Sequence, residues 1–245
     1  MRTLVVEGWR FSLTSYAVVN QYQCLEILKR PEIKLYHTDV PFFTNWRQIP
    51  GLLDPAQEEL IRSLPVPPPD LRPDASLRIA HPTLVQRTNA ERSWCWVITE
   101  FGILENSRIA DQRSAGEALR TPGVRFITSS RWSYDGLIRS GADPANVHIV
   151  PCGYDPGLLK PMHPDNRAQL RRQLGWEGRF IFLNVSTLVW NKGVSALLNA
   201  FAATALHPPT HGQRSKMPLI VAGVVAAAAV GGVVFFVAGQ NKTQN

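Results

Sequence analysis

Short apolar runs alternate with stretches whose apolar residues recur every three or four positions, and this rhythm holds for most of the chain. Residues 3–7, 33–37, 77–80, 94–98, 126–128 and 147–150 are short, rich in β-branched and aromatic side chains, and bounded by polar, Gly or Pro positions, which predicts strands. Residues 16–29 carry Val18, Tyr22, Leu25 and Leu28 on one predicted helical face, with Pro31 as the stop. Asp54-Pro55-Ala56-Gln57 reads as a helix start, with Asp as cap and Pro at the first position. Residues 132–140 form a further predicted helix closed by Gly141. Residues 165–175 form a polar, Arg-rich one, and a strand over 180–185 leads to a helix over 193–201. Strands alternating with helices predict an α/β fold with a doubly wound parallel sheet. The prolines between Pro65 and Pro73 forbid a helix and favour an extended connector inside the domain.

The pattern changes at the C-terminus. The run from Pro218 to Gly239 carries no charge. As a helix it would be about 33 Å long, close to a bilayer core of about 30 Å. A transmembrane helix over 218–239 is therefore expected, preceded by a linker over 204–217. Arg214 and Lys216 before it would hold the remainder on the cytoplasmic side. If the tail is no anchor, a cytoplasmic location follows, since the N-terminus does not read as a signal peptide. Three scattered cysteines, Cys24, Cys95 and Cys152, support neither a disulfide scaffold nor a metal site, and suit a reducing compartment.

Formal net charge is +7, which favours anionic partners such as phosphates and nucleotides. The basic residues are scattered, without zinc spacing, helix-turn-helix or basic stripe, so no nucleic-acid partner is expected. No cofactor and no metal are expected either.

In open α/β sheets ligands bind beyond the carboxyl ends of the strands, so candidates are residues that follow predicted strands. Gly8, in Gly8-Trp9-Arg10, lacks the spacing of a dinucleotide fingerprint; it serves either close ligand approach or a plain turn. Glu100, after the strand at 94–98, is either a base or polarising group for a hydroxyl or a capping carboxylate. Ser129 and Ser130 precede a helix and suit an anionic group or simple N-capping. Gly153 and Asp155 form a tight turn at a strand exit. Lys192 and Gly193 stand between a strand and a helix, where a lysine is a phosphate clamp or a solvated loop residue. His81, before Pro82, faces the cleft or has a structural role.

The order Ser129-Ser130-Arg131-Trp132-Ser133, Gly136-Leu137-Ile138-Arg139-Ser140-Gly141 and Val147-His148-Ile149-Val150-Pro151-Cys152-Gly153-Tyr154-Asp155 resembles the group-1 nucleotide-sugar glycosyltransferases of the GT-B fold. The continuation through Arg167, residues 170–175 and 180–185, Lys192-Gly193 and residues 197–201 is similar as well, as is Val6-Glu7-Gly8-Trp9-Arg10 with Ser15-Tyr16-Ala17 and Asn20-Gln21. The resemblance implies a Rossmann-like acceptor-binding domain over 1–163 and the start of a donor-binding domain over 164–203. It implies transfer of a hexose from a nucleoside-diphosphate sugar to a hydroxyl of a carbohydrate or lipid-linked acceptor. Lys192 would hold the diphosphate, Gly8 would lie near it, and Glu100 would act in the acceptor cleft.

The chain also departs from that pattern. Thr187 stands where a basic residue is usual, and no Asp or Glu follows Glu177, so the acidic pair for sugar and ribose has no counterpart. The first expectation is a membrane-tethered glycosyltransferase impaired by a donor domain cut short; the alternatives are an inactive membrane-tethered acceptor-domain binding module, completed by a second chain, or a remnant whose tail from about Thr204 is frame-disrupted.

Overall fold

The computed structural model describes residues 1–40, 47–157, 159–185, 192–206, 222–226 and 233–238. Two compact units divide the chain, Met1–Tyr154 and Asp155–Asn245. The boundary expected after His163 falls inside the second.

The first unit is built on β1 (Arg2–Gly8), β2 (Ile33–Asp39), β3 (Ala75–Ile79), β4 (Arg92–Trp96), β5 (Val124–Thr128) and β6 (Val147–Ile149). Its helices are α1 (Ser15–Leu28), α2 (Pro55–Arg62), α3 (Ala115–Leu119) and α4 (Arg131–Arg139). The strands form one sheet in the order β2-β1-β3-β4-β5-β6, and every neighbouring pair is parallel. This is the predicted Rossmann-like sheet. The chain runs outward from β1 to β2, then returns past β1 and continues in the other direction from β3. The order thus reverses between β1 and β3, where open sheets of this kind place a crevice at their carboxyl edge.

Side chains alternate across each strand, so the sheet carries two cores. Cys95 and Phe126 face a cluster that includes Val97, Ala118, Leu119 and Leu137. Their neighbours Trp96 and Ile127 join the opposite cluster, with Val6, Phe11, Leu25, Leu35, Ile61 and Ile79. Burying a side chain such as Leu137 contributes roughly 1.5–3 kcal/mol.

Local sequence accounts for the ends of the helices. Asp54 caps α2 by accepting from Ala56 N at 3.0 Å, with Pro55 at the first position. Ser114 and Glu117 form a reciprocal capping box on α3, a helix the periodicity did not predict. Gly141 takes φ +101° just after α4, a left-handed conformation that favours glycine. Residues 64–68 of the proline-rich segment have no regular structure, and Pro65 O accepts from His37 N at 2.9 Å.

Helix α1 occupies the predicted span but buries another face. Val18 and Leu28 are exposed, whereas Ala17, Asn20, Gln21, Cys24 and Leu25 are buried. Two amides take the inward positions because each finds fixed hydrogen-bond partners there, described below; satisfied in this way, burying them carries little penalty.

The second unit contains α5 (Pro164–Gln173), β7 (Phe180–Val185), α6 (Val194–Leu206), β8 (Ala222–Ala226) and β9 (Val233–Ala238). Strands β7 and β8 both pair antiparallel with β9, so its sheet is not parallel. The expected transmembrane helix over 218–239 is therefore corrected: its described parts, 222–226 and 233–238, are strands. Both are rich in valine, whose branched Cβ favours extended backbone, and β9 pairs on both sides, with β7 and with β8. Among the described residues no helix is long and apolar enough to cross a membrane. Of the linker expected over 204–217, residues 204–206 belong to α6 and the rest lies outside the described residues.

Candidate active site

At the carboxyl edge of the first sheet, where open sheets of this kind place a crevice, lie the segments after β1, β3 and β4. The segment after β1 is held from behind. Arg10 makes a bidentate pair with Asp39, Nε to Oδ1 and Nη2 to Oδ2, both at 2.8 Å, while its Nη1 donates to the Ile61 carbonyl at 2.7 Å. Phe11 is fully buried at φ +55°, and its N–H donates to Gln21 Oε1 at 2.6 Å. Asn20 Nδ2 donates one hydrogen to Trp9 O at 2.7 Å and the other to His37 Nε2 at 2.9 Å. Its Oδ1 faces the Cys24 thiol at 3.6 Å, which fixes the amide's orientation. Because His37 Nε2 accepts, the imidazole proton sits on Nδ1, 3.6 Å from Asp39 Oδ1. His37 is fully buried, and burial first, then the Arg10 charge, push its pKa down to about 3.

Gly8 ends β1 with no room for a side chain. A Cβ there would stand 2.6 Å from the Ile79 carbonyl and 2.9 Å from Asn20 Nδ2. Glycine is needed so that β1, β3 and α1 can pack together. Arg10, next but one, is fully engaged with protein groups.

Tyr16, near the start of α1, is the centre of an aromatic group. Its ring centroid lies 5.1 Å from Trp96 in an edge-on arrangement, 5.5 Å from Trp9 and 5.7 Å from His81. His81 follows β3, and the His81–Pro82 peptide is cis. The next residues are bridged to the turn that carries Arg108: Thr83 N donates to Arg108 O at 2.7 Å, and Ala110 N to Thr83 O at 3.0 Å. Arg108 Nη2 then donates to Glu100 Oε2 at 3.2 Å, and its Nε to Glu105 Oε2 at 3.1 Å. Residues from four separate segments thus meet at the crevice.

Burial, eased by Arg108 and reinforced by Glu100, pushes the Tyr16 hydroxyl up to about 12. Burial and Arg108 push His81 below its ordinary value, against the pull of Glu100. At neutral pH the crevice therefore presents a protonated phenol and a neutral imidazole beside a carboxylate–guanidinium pair. Aromatic faces with a few fixed hydrogen-bonding groups suit an uncharged, hydroxyl-rich ligand.

Helix α4 fixes the loop that carries Glu100. Thr99 N donates to Ser133 Oγ at 3.0 Å, Leu104 N to Ser140 Oγ at 2.7 Å, and Arg139 Nε to Gly102 O at 2.9 Å. Ser130 is the N-cap of this helix and accepts from Ser133 N at 3.2 Å, while Ser129 is half-buried at the end of β5. Gly153 is exposed, with open space where a Cβ would be.

The remaining predicted residues belong to the second unit. Asp155 Oδ1 accepts from Gly157 N at 2.7 Å in a local turn. Lys192 is exposed two positions ahead of α6, and Gly193, at φ +69°, has no described residue within 4 Å of where a Cβ would be. Among the described residues, no group of three or more His, Cys, Asp or Glu could hold a metal ion.

Sequence reasoning singled out Glu100 and weighed His81, but missed Arg108 and the central position of Tyr16. Arg108 lies in a short 3-10 turn without periodicity, and its contact with Glu100 and its link to the segment after His81 are both tertiary.

No family model matches the chain, and no solved structure matches it. A mannosylfructose-phosphate synthase of Agrobacterium fabrum (strain C58 / ATCC 33970) is 29% identical over 98 residues, a stretch that covers 40% of this chain and 20% of that protein. The chain thus matches one fifth of the length of this curated relative.

Proposed function

We propose that this protein is a glycosyltransferase that moves a hexose from a nucleoside-diphosphate sugar to an acceptor hydroxyl. The observation that carries this reading is the convergence of Tyr16, His81, Glu100 and Arg108 at the reversal point of a parallel sheet. The likeness to a synthase of a mannosyl sugar phosphate supports the same class of chemistry.

In this reading the acceptor sugar binds in the first unit. Glu100, oriented by Arg108, accepts a hydrogen bond from the reacting hydroxyl and is the first acceptor of its proton. The acceptor oxygen bonds to the anomeric carbon of the donor as the bond from that carbon to the diphosphate breaks. Within the second unit, Lys192 is an exposed cation ahead of α6, a residue type suited to a diphosphate.

The test is release of nucleoside diphosphate from UDP-, GDP- and ADP-hexoses in the presence of simple sugar acceptors. Glu100→Gln should lower turnover by about 100-fold or more, the scale of general-base catalysis, with an unchanged unfolding temperature. Lys192→Ala should chiefly weaken donor binding. No release with any donor, or full turnover by Glu100→Gln, would overturn the reading.

A further inference from the structure

Helix α4 begins with an exposed tryptophan that the reaction above does not use. Trp132 is 59% open to solvent, an unusual state for an indole. It nevertheless has close neighbours. Its Cζ2 lies 3.2 Å from the point where Gly102 would carry a Cβ, and the Arg139 guanidinium sits 5.9 Å from its ring. Arg139 is itself fixed by donating to Gly102 O. The indole therefore packs beside the Glu100 loop, and Glu100 stands two residues before Gly102. That separation limits the distance between their Cα atoms to about 7 Å, roughly the length of one pyranose unit. Phe101 and Ile103, 42% and 49% exposed, flank Gly102 in the chain.

We propose that Trp132 is the stacking platform of a second acceptor subsite, so that the acceptor is a glycoside of at least two rings. One ring lies at Glu100 and the next rests its apolar face on the indole. The inference rests on the transfer reading. A sugar ring fits this surface better than a lipid chain, because Trp132 shares α4 with the charges of Arg139 and of the Arg131–Asp135 ion pair. An aromatic face backed by a fixed cation binds an amphipathic ring, whose hydroxyl rim stays in contact with water.

Calorimetry on the full chain tests this with methyl α-mannopyranoside and methyl α-glucopyranoside, the α-linked disaccharides mannobiose and maltose, and uridine and guanosine. At least one disaccharide should bind about five- to tenfold more tightly than its single-ring counterpart, the scale of one aromatic stack. Trp132→Ala should abolish that preference and leave single-ring binding unchanged, and Trp132→Phe should retain part of it. Equal binding of both lengths, a preference that survives Trp132→Ala, or a nucleoside whose binding is lost in that variant would overturn the subsite. If transfer to single-ring acceptors persists in that case, the transfer reading stands and only the subsite fails. Absence of both transfer and saccharide binding overturns the two together.

Discussion

Thr99 Oγ1 occupies the place where Gly136 would carry a side chain, so helix α4 and the loop bearing Glu100 touch without an intervening Cβ. The Gly102 carbonyl carbon and oxygen lie 3.0 Å from the same point. Both sides of this contact are backbone or a short, buried side chain, and neither can swing away. Gly136→Ala should therefore shift the helix against the loop and cost about 1–3 kcal/mol, the usual range for overpacking. Gly153→Ala, which meets open space, should change stability by less than about 0.5 kcal/mol. Urea unfolding of the two variants checks the contrast, and equal stabilities would show that the contact yields freely.

The start of α4 depends on one hydroxyl. Ser130 accepts from Ser133 N, and Ser133 in turn accepts from Thr99 N. Ser130→Ala should cost about 1 kcal/mol through loss of the cap. The unfolding midpoint in denaturant reads this directly; no change would mean that water replaces the serine without loss.

Arg10 is expected to tolerate no substitute, even lysine. The guanidinium satisfies both Asp39 oxygens and the Ile61 carbonyl at once, a planar fork that an ammonium cannot reproduce. Arg10→Lys should lose roughly 1–3 kcal/mol as one or more buried acceptors lose a donor. Thermal unfolding checks this, and a lysine variant as stable as the parent would show that the fork is dispensable.

His37 gives the fold an acid-sensitive point. The unfolded chain takes up a proton near pH 6.5, whereas the folded protein does so only near pH 3. Between those values the unfolded state binds more protons, so stability is complete above about 6.5 and falls as pH drops towards 3. His81, lowered in the same direction, adds to this loss. The lowered carboxylates Glu58, Asp74, Asp111 and Glu117 contribute only at lower pH, below their ordinary values of 4.5 and 3.8. The unfolding temperature should therefore already fall between pH 7 and pH 5. His37→Gln, whose amide oxygen still accepts from Asn20, should flatten that slope; an unchanged slope would assign it elsewhere.

The comparison of sequence with structure divides along the range of the forces. The strand at 180–185 coincides with β7, and Asp54-Pro55 caps α2 as expected, because such signals lie within a few residues of one another. The inward face of α1 was not legible. Val18 and Leu28 mark an apolar stripe, yet Asn20 and Gln21 turn inward because Trp9, Phe11 and His37 supply their partners. The uncharged run at 218–239 has helical length, but its valines favour extended backbone and its described parts pair with β7 and with each other. Glu100 was visible as a carboxylate after a strand, whereas its partner Arg108 was not.

By itself the sequence determined the alternation of strand and helix, the Asp54 cap of α2 and the parallel class of the first sheet, since period and capping chemistry act over a few residues. Only the tertiary structure decided the strand order, the buried face of α1 and the meeting of Tyr16, His81, Glu100 and Arg108. Those features depend on hydrogen bonds and packing between segments far apart in the chain, and no local pattern encodes which distant group will satisfy a buried one.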